Sequence, residues 1–170
     1  VPMEFAEVAS MGMELLGSPY LDGFYSDSAI TLPIGDVSPE AARLIERTRA
    51  ALEAGIAAAL AGGRLGDIGS DVQKTAEAAG FSVVREYVGH GIGRKMHESP
   101  NVPNYGARGT GTGLSAGMTI AIEPMVNAGG PEVRSLDDGW TVVTEDGSLS
   151  AHFEHTVAIT DDGPLVLTVE

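Results

Sequence analysis

The sequence predicts an α+β domain in which two helices cover one side of a mostly antiparallel sheet. Three observations predict it. Apolar residues recur at helical spacing in two consecutive stretches between Ser38 and Gly80. Short branched or alternating runs lie on either side of them, as strands do. Turn dipeptides such as Asp22-Gly23 and Asp146-Gly147 punctuate those runs closely enough for hairpins. At 170 residues the chain can bury one sizeable core, with no room for a second complete domain.

Residues 1–19 carry apolar positions at Met3, Phe5, Val8, Met11, Leu15 and Leu16, a short helix ended by Gly17 and Pro19. Asp22-Gly23 then makes a turn, and FYSDSAITL reads as a strand leaving it, with Asp27 on that strand. Ser38-Pro39-Glu40 opens the clearest helix, with Ser38 as cap and Pro39 in the first turn. Its period runs through Ala41, Leu44, Ile45, Thr48, Leu52, Ile56 and Leu60 to a stop at Gly62-Gly63. A second helix follows Leu65-Gly66 with Asp67 as cap, running through Val72, Ala76 and Ala79 to Gly80.

Phe81 to Val88 reads as a strand that delivers the chain into YVGHGIGRKMHESPNVPNY, residues 87–105. Two readings stay open there: a glycine-rich turn with incidental histidines, or a close-approach loop presenting His90 and His97 to a ligand. Distant acidic residues favour the second, because Asp27, Glu123 and Glu154 join His90 in an oxygen-rich set suited to a divalent cation. NVPNYGARGTGTGLSAG is a loop by composition and lacks both phosphate-binding glycine patterns, so nucleotide binding is rejected.

Met118 to Val126 is a strand broken at Pro124, with Thr119, Ala121 and Glu123 on one face and Ile120 and Ile122 on the other. WTVVT forms a short strand after the Asp137-Asp138-Gly139 turn. In SLSAHFEHTVAIT, His152, Glu154 and Thr156 share one face and Phe153, His155 and Val157 the other. Residues 164–168 supply an edge strand.

Charge excludes several partners. With 24 acidic and 10 basic residues the net charge is -14, which argues against nucleic acid or an anionic membrane. No run approaches the roughly 18 apolar residues of a membrane helix. The absence of cysteine removes disulfides, thiolate catalysis and cysteine-type zinc sites. The start at Val1 reads as a processed or cut end.

YVGHGIGRKMHESPNVPNYG, TIAIEPMVNAG and DGWTVVTEDGSLSAHFEHTVAIT closely resemble type I methionine aminopeptidases, which have the creatinase-like pita-bread fold. Asp27, His90, Glu123 and Glu154 match that family's ligands at its separations of 63, 33 and 31 residues. The resemblance implies a partial pita-bread fold: residues 1–19 a divergent or truncated segment, residues 20–170 the C-terminal half of the catalytic domain. It implies metal-dependent removal of N-terminal methionine from nascent polypeptides in the cytoplasm, near the ribosome. The alternatives are an inactive peptide-binding or metal-binding remnant, or another creatinase-like aminopeptidase.

The resemblance also assigns roles. Asp27 and Glu154 would bridge Mn²⁺, Fe²⁺, Co²⁺ or Zn²⁺, His90 and Glu123 would complete one position, and Glu123 would shuttle the proton. His97 would contact the peptide, while Met96 and Trp140 stand at positions of the methionine pocket. His152 stands where many relatives have glutamine, either as a hydrogen-bond donor behind the ligands or as an exposed strand histidine. His155 takes a structural hydrogen bond on the opposite face. The family's further aspartate ligand, eleven residues before Asp27, is replaced by Leu16, so the expectation is two metals in the family and one in this chain. The resemblance also implies a missing N-terminal half, lying upstream of Val1 or in another chain, or a homo-oligomer in its place.

Overall fold

The computed structural model describes residues 20–168. The helix expected within residues 1–19, and Leu16 with it, lie outside the described residues.

Strands β1 (Tyr20–Leu21) and β2 (Phe24–Tyr25) pair as a hairpin. Its two-residue turn holds Asp22 at φ 52° and Gly23 at φ 90°, the left-handed pair whose twist matches that of the strands. Asp27 falls just before β3 (Ser28–Ala29), one position outside the strand on which the sequence had placed it.

Helix α1 (Pro39–Ala58) starts as its sequence dictates, with Ser38 Oγ accepting the Ala41 amide at 3.1 Å. It buries Ala41, Leu44, Thr48, Ala51 and Leu52. It stops earlier than its apolar period, so Leu60 lies beyond the helix and is exposed. Helix α2 (Leu65–Glu77) is capped by Arg64, not Asp67. Asp67 is the third helical residue and reaches back, its Oδ2 accepting the Arg64 amide at 2.8 Å.

The remaining strands are β4 (Ser82–Val83), β5 (Gly89–Gly91), β6 (Glu98–Val102), β7 (Thr119–Ile122), β8 (Met125–Asn127), β9 (Val133–Ser135), β10 (Val142–Thr144), β11 (Ser150–His152), β12 (Glu154–Thr160) and β13 (Gly163–Val166). The main sheet runs β13-β12-β7-β5-β6, with β3 also on β12; a smaller sheet runs β11-β8-β4, and β9 pairs β10. Every pairing between these strands is antiparallel.

Three strand expectations are corrected. The 81–88 run forms a strand only at Ser82–Val83. Asn101 and Val102, expected to open a loop, instead end β6, which runs from Glu98; it ends the sheet order, and an edge strand tolerates Pro100. The strand through His152 and Glu154 breaks at Phe153, where the chain passes from the small sheet to the large one.

The helices pack on one side. Leu52, Ile68, Val72, Ile120, Ile122, Val157 and Ile159 form the main apolar cluster. Leu44, Ala76, Phe81, Val83, Val126 and Ala151 form a second beside it. Since Ile120 and Ile122 point into the core, strand alternation sends Glu123 to the other face.

Candidate metal centre

The site forms where two paired strands change sheets together. His155 pairs with Ile122 in the large sheet and His152 with Met125 in the small one. Carrying the register between these pairs sets Glu154 opposite Glu123, at the break after β7 and the start of β12. Glu154 is 1 % and Glu123 9 % exposed. Two buried carboxylates directly across a ladder repel one another, and a fold keeps such a pair where a cation or proton compensates it.

The opposite edge of β12 brings in Asp27. Glu154 pairs with Ala29, and the same register sets Thr156 opposite Asp27. The Thr156 hydroxyl accepts the Asp27 amide and donates to the Asp27 carbonyl, each at 2.8 Å. Thr31 does the same for His152, accepting its amide at 2.9 Å and donating to its carbonyl at 2.7 Å. Side chains therefore tie both backbones across the site, His152 in addition to its pairing with Met125.

His90 arrives from the far side of β7, on β5. Glycines flank it because backbone passes close on both sides. A Cβ on Gly89 would lie 2.3 Å from the Ala121 carbonyl oxygen, and one on Gly91 2.4 Å from that of Ser99. His90 Nδ1 lies 2.9 Å from the Gly91 carbonyl. A carbonyl only accepts, so Nδ1 carries the proton and Nε2 presents its lone pair. That nitrogen faces Glu123 Oε1 at 3.6 Å. Burial holds the imidazole below its ordinary pKa; nearby His97 adds to this, while the Gly91 carbonyl and Asp27 oppose it.

Asp27, His90 and Glu154 place ligand atoms within 4.8 Å of one another, and so do Glu123, His152 and Glu154. The donor set fits a divalent cation: carboxylates beside a neutral imidazole whose tautomer is fixed by a backbone carbonyl. Where the sequence led to an expectation of one metal position, the described residues present two candidate triads sharing Glu154.

Of the other expected residues, His97 stands against this cluster. His97 is exposed, its ring centroid 4.3 Å from that of His90 at 54°. Met96 is half-buried, and Trp140 is 55 % exposed in the turn between β9 and β10. A 3.3 Å hydrogen bond between Tyr87 Oη and Ser135 Oγ ties that hairpin to the segment entering β5. His155 bonds Thr168 through Nδ1 at 2.8 Å, as its opposite face implied. His152 is buried, which removes the exposed-strand alternative, and burial pushes its pKa down to about 4.

Sequence reasoning missed the backbone-holding side chains. Besides Thr31 and Thr156 these include Asn104, fully buried, whose Nδ2 donates to the Glu123 carbonyl at 3.0 Å. Only Thr156 left a signal, by sharing a face with His152 and Glu154.

Residues 16–161 match Metallopeptidase family M24. A methionine aminopeptidase of Clostridium perfringens is 56 % identical over 149 residues, which cover 88 % of this chain and 60 % of that protein. The crystal structure of methionine aminopeptidase from Thermotoga maritima superposes with a TM-score of 0.86 at 50 % identity. That from Rickettsia prowazekii does so with 0.86 at 48 %. Each covers 88 % of this chain and 60 % of its own. The chain thus spans about 60 % of the length of the curated relatives it matches. The curled antiparallel sheet backed by two helices is the creatinase and methionine aminopeptidase architecture.

Proposed function

The chain belongs to Metallopeptidase family M24, and from that premise we propose that it carries the metal-binding face of an aminopeptidase removing N-terminal methionine from newly made polypeptides. The observation that carries this reading is the buried convergence of Asp27, His90 and Glu154, with Glu123 opposite Glu154. The similarity to methionine aminopeptidases supports the substrate class.

Asp27 and Glu154 would hold the ion jointly, with His90 and Glu123 beside them. A bound divalent cation supplies Lewis-acid polarisation of a carbonyl and a water of lowered pKa. Mn²⁺, Fe²⁺, Co²⁺ and Zn²⁺ all suit such mixed oxygen and nitrogen donors. Glu123 takes a proton from the attacking water and returns it to the departing amine. Its backbone carbonyl is held by Asn104 Nδ2. His90, neutral and committed through Nδ1 to Gly91, serves as ligand and not as base.

His97, exposed above His90, meets the peptide and stabilises charge growing on the carbonyl oxygen. Met96 and Trp140 contribute to the pocket for the methionine side chain. This reading carries with it a nascent-chain partner, proximity to the ribosome and a cytoplasmic setting. Among the described residues no helix is long and apolar enough to cross a membrane.

The test is hydrolysis of Met-Ala-Ser by the natural full-length protein carrying this sequence, loaded with Mn²⁺ or Co²⁺. Free methionine should be released, and the acetylated peptide should resist. Cleavage of the acetylated peptide at the same rate would contradict aminopeptidase chemistry.

A further inference from the structure

We propose that His152 is itself a cation ligand, so that Glu123, His152 and Glu154 form a second binding position sharing Glu154 with Asp27 and His90. The inference rests on the metal-centre reading above and deepens it. This chain would thereby supply a second imidazole nitrogen beside that of His90.

Geometry makes the case. The two oxygens of Glu123 face two different imidazoles: Oε1 lies 3.6 Å from His90 Nε2 and Oε2 3.8 Å from His152 Nε2. A carboxylate between two nitrogens in this way is disposed to serve both sides. The ligand atoms of Glu123, His152 and Glu154 lie within 4.8 Å of one another. Donors on opposite sides of one transition-metal ion are up to about 4.4 Å apart, so closure asks for a few tenths of an ångström.

His152 is also pre-positioned. It is 6 % exposed, its backbone pairs with Met125, and Thr31 holds both its amide and its carbonyl. Glu154, two residues on, pairs with Ala29 of β3, and the next residue, His155, pairs with Ile122 of β7. The imidazole therefore has little freedom to leave the cluster. A position with one nitrogen and two carboxylates favours Co²⁺, Zn²⁺, Mn²⁺ or Fe²⁺ over Ca²⁺ or Mg²⁺, which prefer oxygen alone.

The experiment is proton NMR of the Co²⁺-loaded chain in water, which moves the exchangeable imidazole N–H of each ligated histidine far outside the ordinary range. Two such resonances are expected. His152→Gln should remove one, and His90→Gln the other. One shifted resonance, lost only in His90→Gln, would overturn the role of His152 and leave the metal centre standing. No shifted resonance in the unaltered chain would overturn both. If a variant fails to fold, anomalous diffraction at the cobalt edge from crystals of the unaltered chain grown with Co²⁺ decides the point: a peak within about 2.0–2.3 Å of His152 Nε2 supports the proposal, and cobalt bound at Asp27 and His90 with none on His152 overturns it.

Discussion

Thr156 Oγ1 makes two hydrogen bonds with one residue, accepting the Asp27 amide and donating to the Asp27 carbonyl, both at 2.8 Å. The contact spans 129 positions of sequence. It fixes the backbone of one candidate ligand directly beside the strand that carries another, Glu154.

Thr156→Val keeps the shape of the side chain and deletes both bonds, leaving a buried amide and carbonyl unsatisfied. The expected loss is about 1–3 kcal/mol in urea denaturation. Divalent-cation affinity should fall by roughly 10- to 100-fold, as for other residues that orient ligands. Thr156→Ser should recover most of both. A serine variant as damaged as the valine one would show that the methyl packing, not the hydroxyl, matters.

Glu154→Gln tests the facing carboxylates. Neutralising one partner relieves repulsion with Glu123, so the metal-free chain should melt no lower than the unaltered one. The rise in melting temperature produced by saturating Mn²⁺ should vanish, because that rise measures binding to the folded state. A variant that melts lower without metal yet keeps the full Mn²⁺ shift would contradict the assignment.

Gly89→Ala should destabilise by at least 1–3 kcal/mol, since its Cβ would meet a backbone carbonyl at 2.3 Å that cannot move aside alone. Gly113→Ala is the control, with no atom within 4 Å of the added carbon. Thermal melts of the two variants, compared side by side, decide the point. Equal small effects would show that the strand beside His90 has more room than its geometry indicates.

Acid stability should depend on Asp146. Its carboxyl is lowered from the usual 3.8 to about 2, first by the Ser148 side chain and then by the Gly130 and Ser148 amides. Because the folded value lies below the unfolded one, the group contributes stability at and above about pH 4. That contribution is lost as pH falls towards 2. Asp146→Asn should therefore flatten the change in stability across this window, read as urea midpoints at successive pH values. An unchanged slope would remove Asp146 from the acid response.

Much of this architecture was legible in the sequence because the signals were local. Ser38-Pro39 marked a helix start, Asp22-Gly23 marked a hairpin, and Pro124 marked the break after Glu123. The match to family spacing drew attention to Asp27, His90, Glu123 and Glu154 before any fold was in view. Strand β6 was hidden because Pro100 weakens a strand signal, and only the edge position makes it harmless. His152 could be assigned a face but not a burial, since alternation does not say which side of a sheet is covered. The threonine holds were invisible for another reason: threonine suits any strand, and only the register shows Thr31 and Thr156 opposite His152 and Asp27.

The central claim is that Asp27, His90, Glu123 and Glu154 converge on a divalent cation. Anomalous diffraction at the manganese edge from crystals grown with Mn²⁺ tests it most directly. The account predicts a peak on the face of the sheet opposite α1 and α2, with donor atoms of Asp27, His90 and Glu154 within about 2.0–2.3 Å and Glu123 beside them. Manganese bound only elsewhere, with these four side chains turned away from one another, would contradict it.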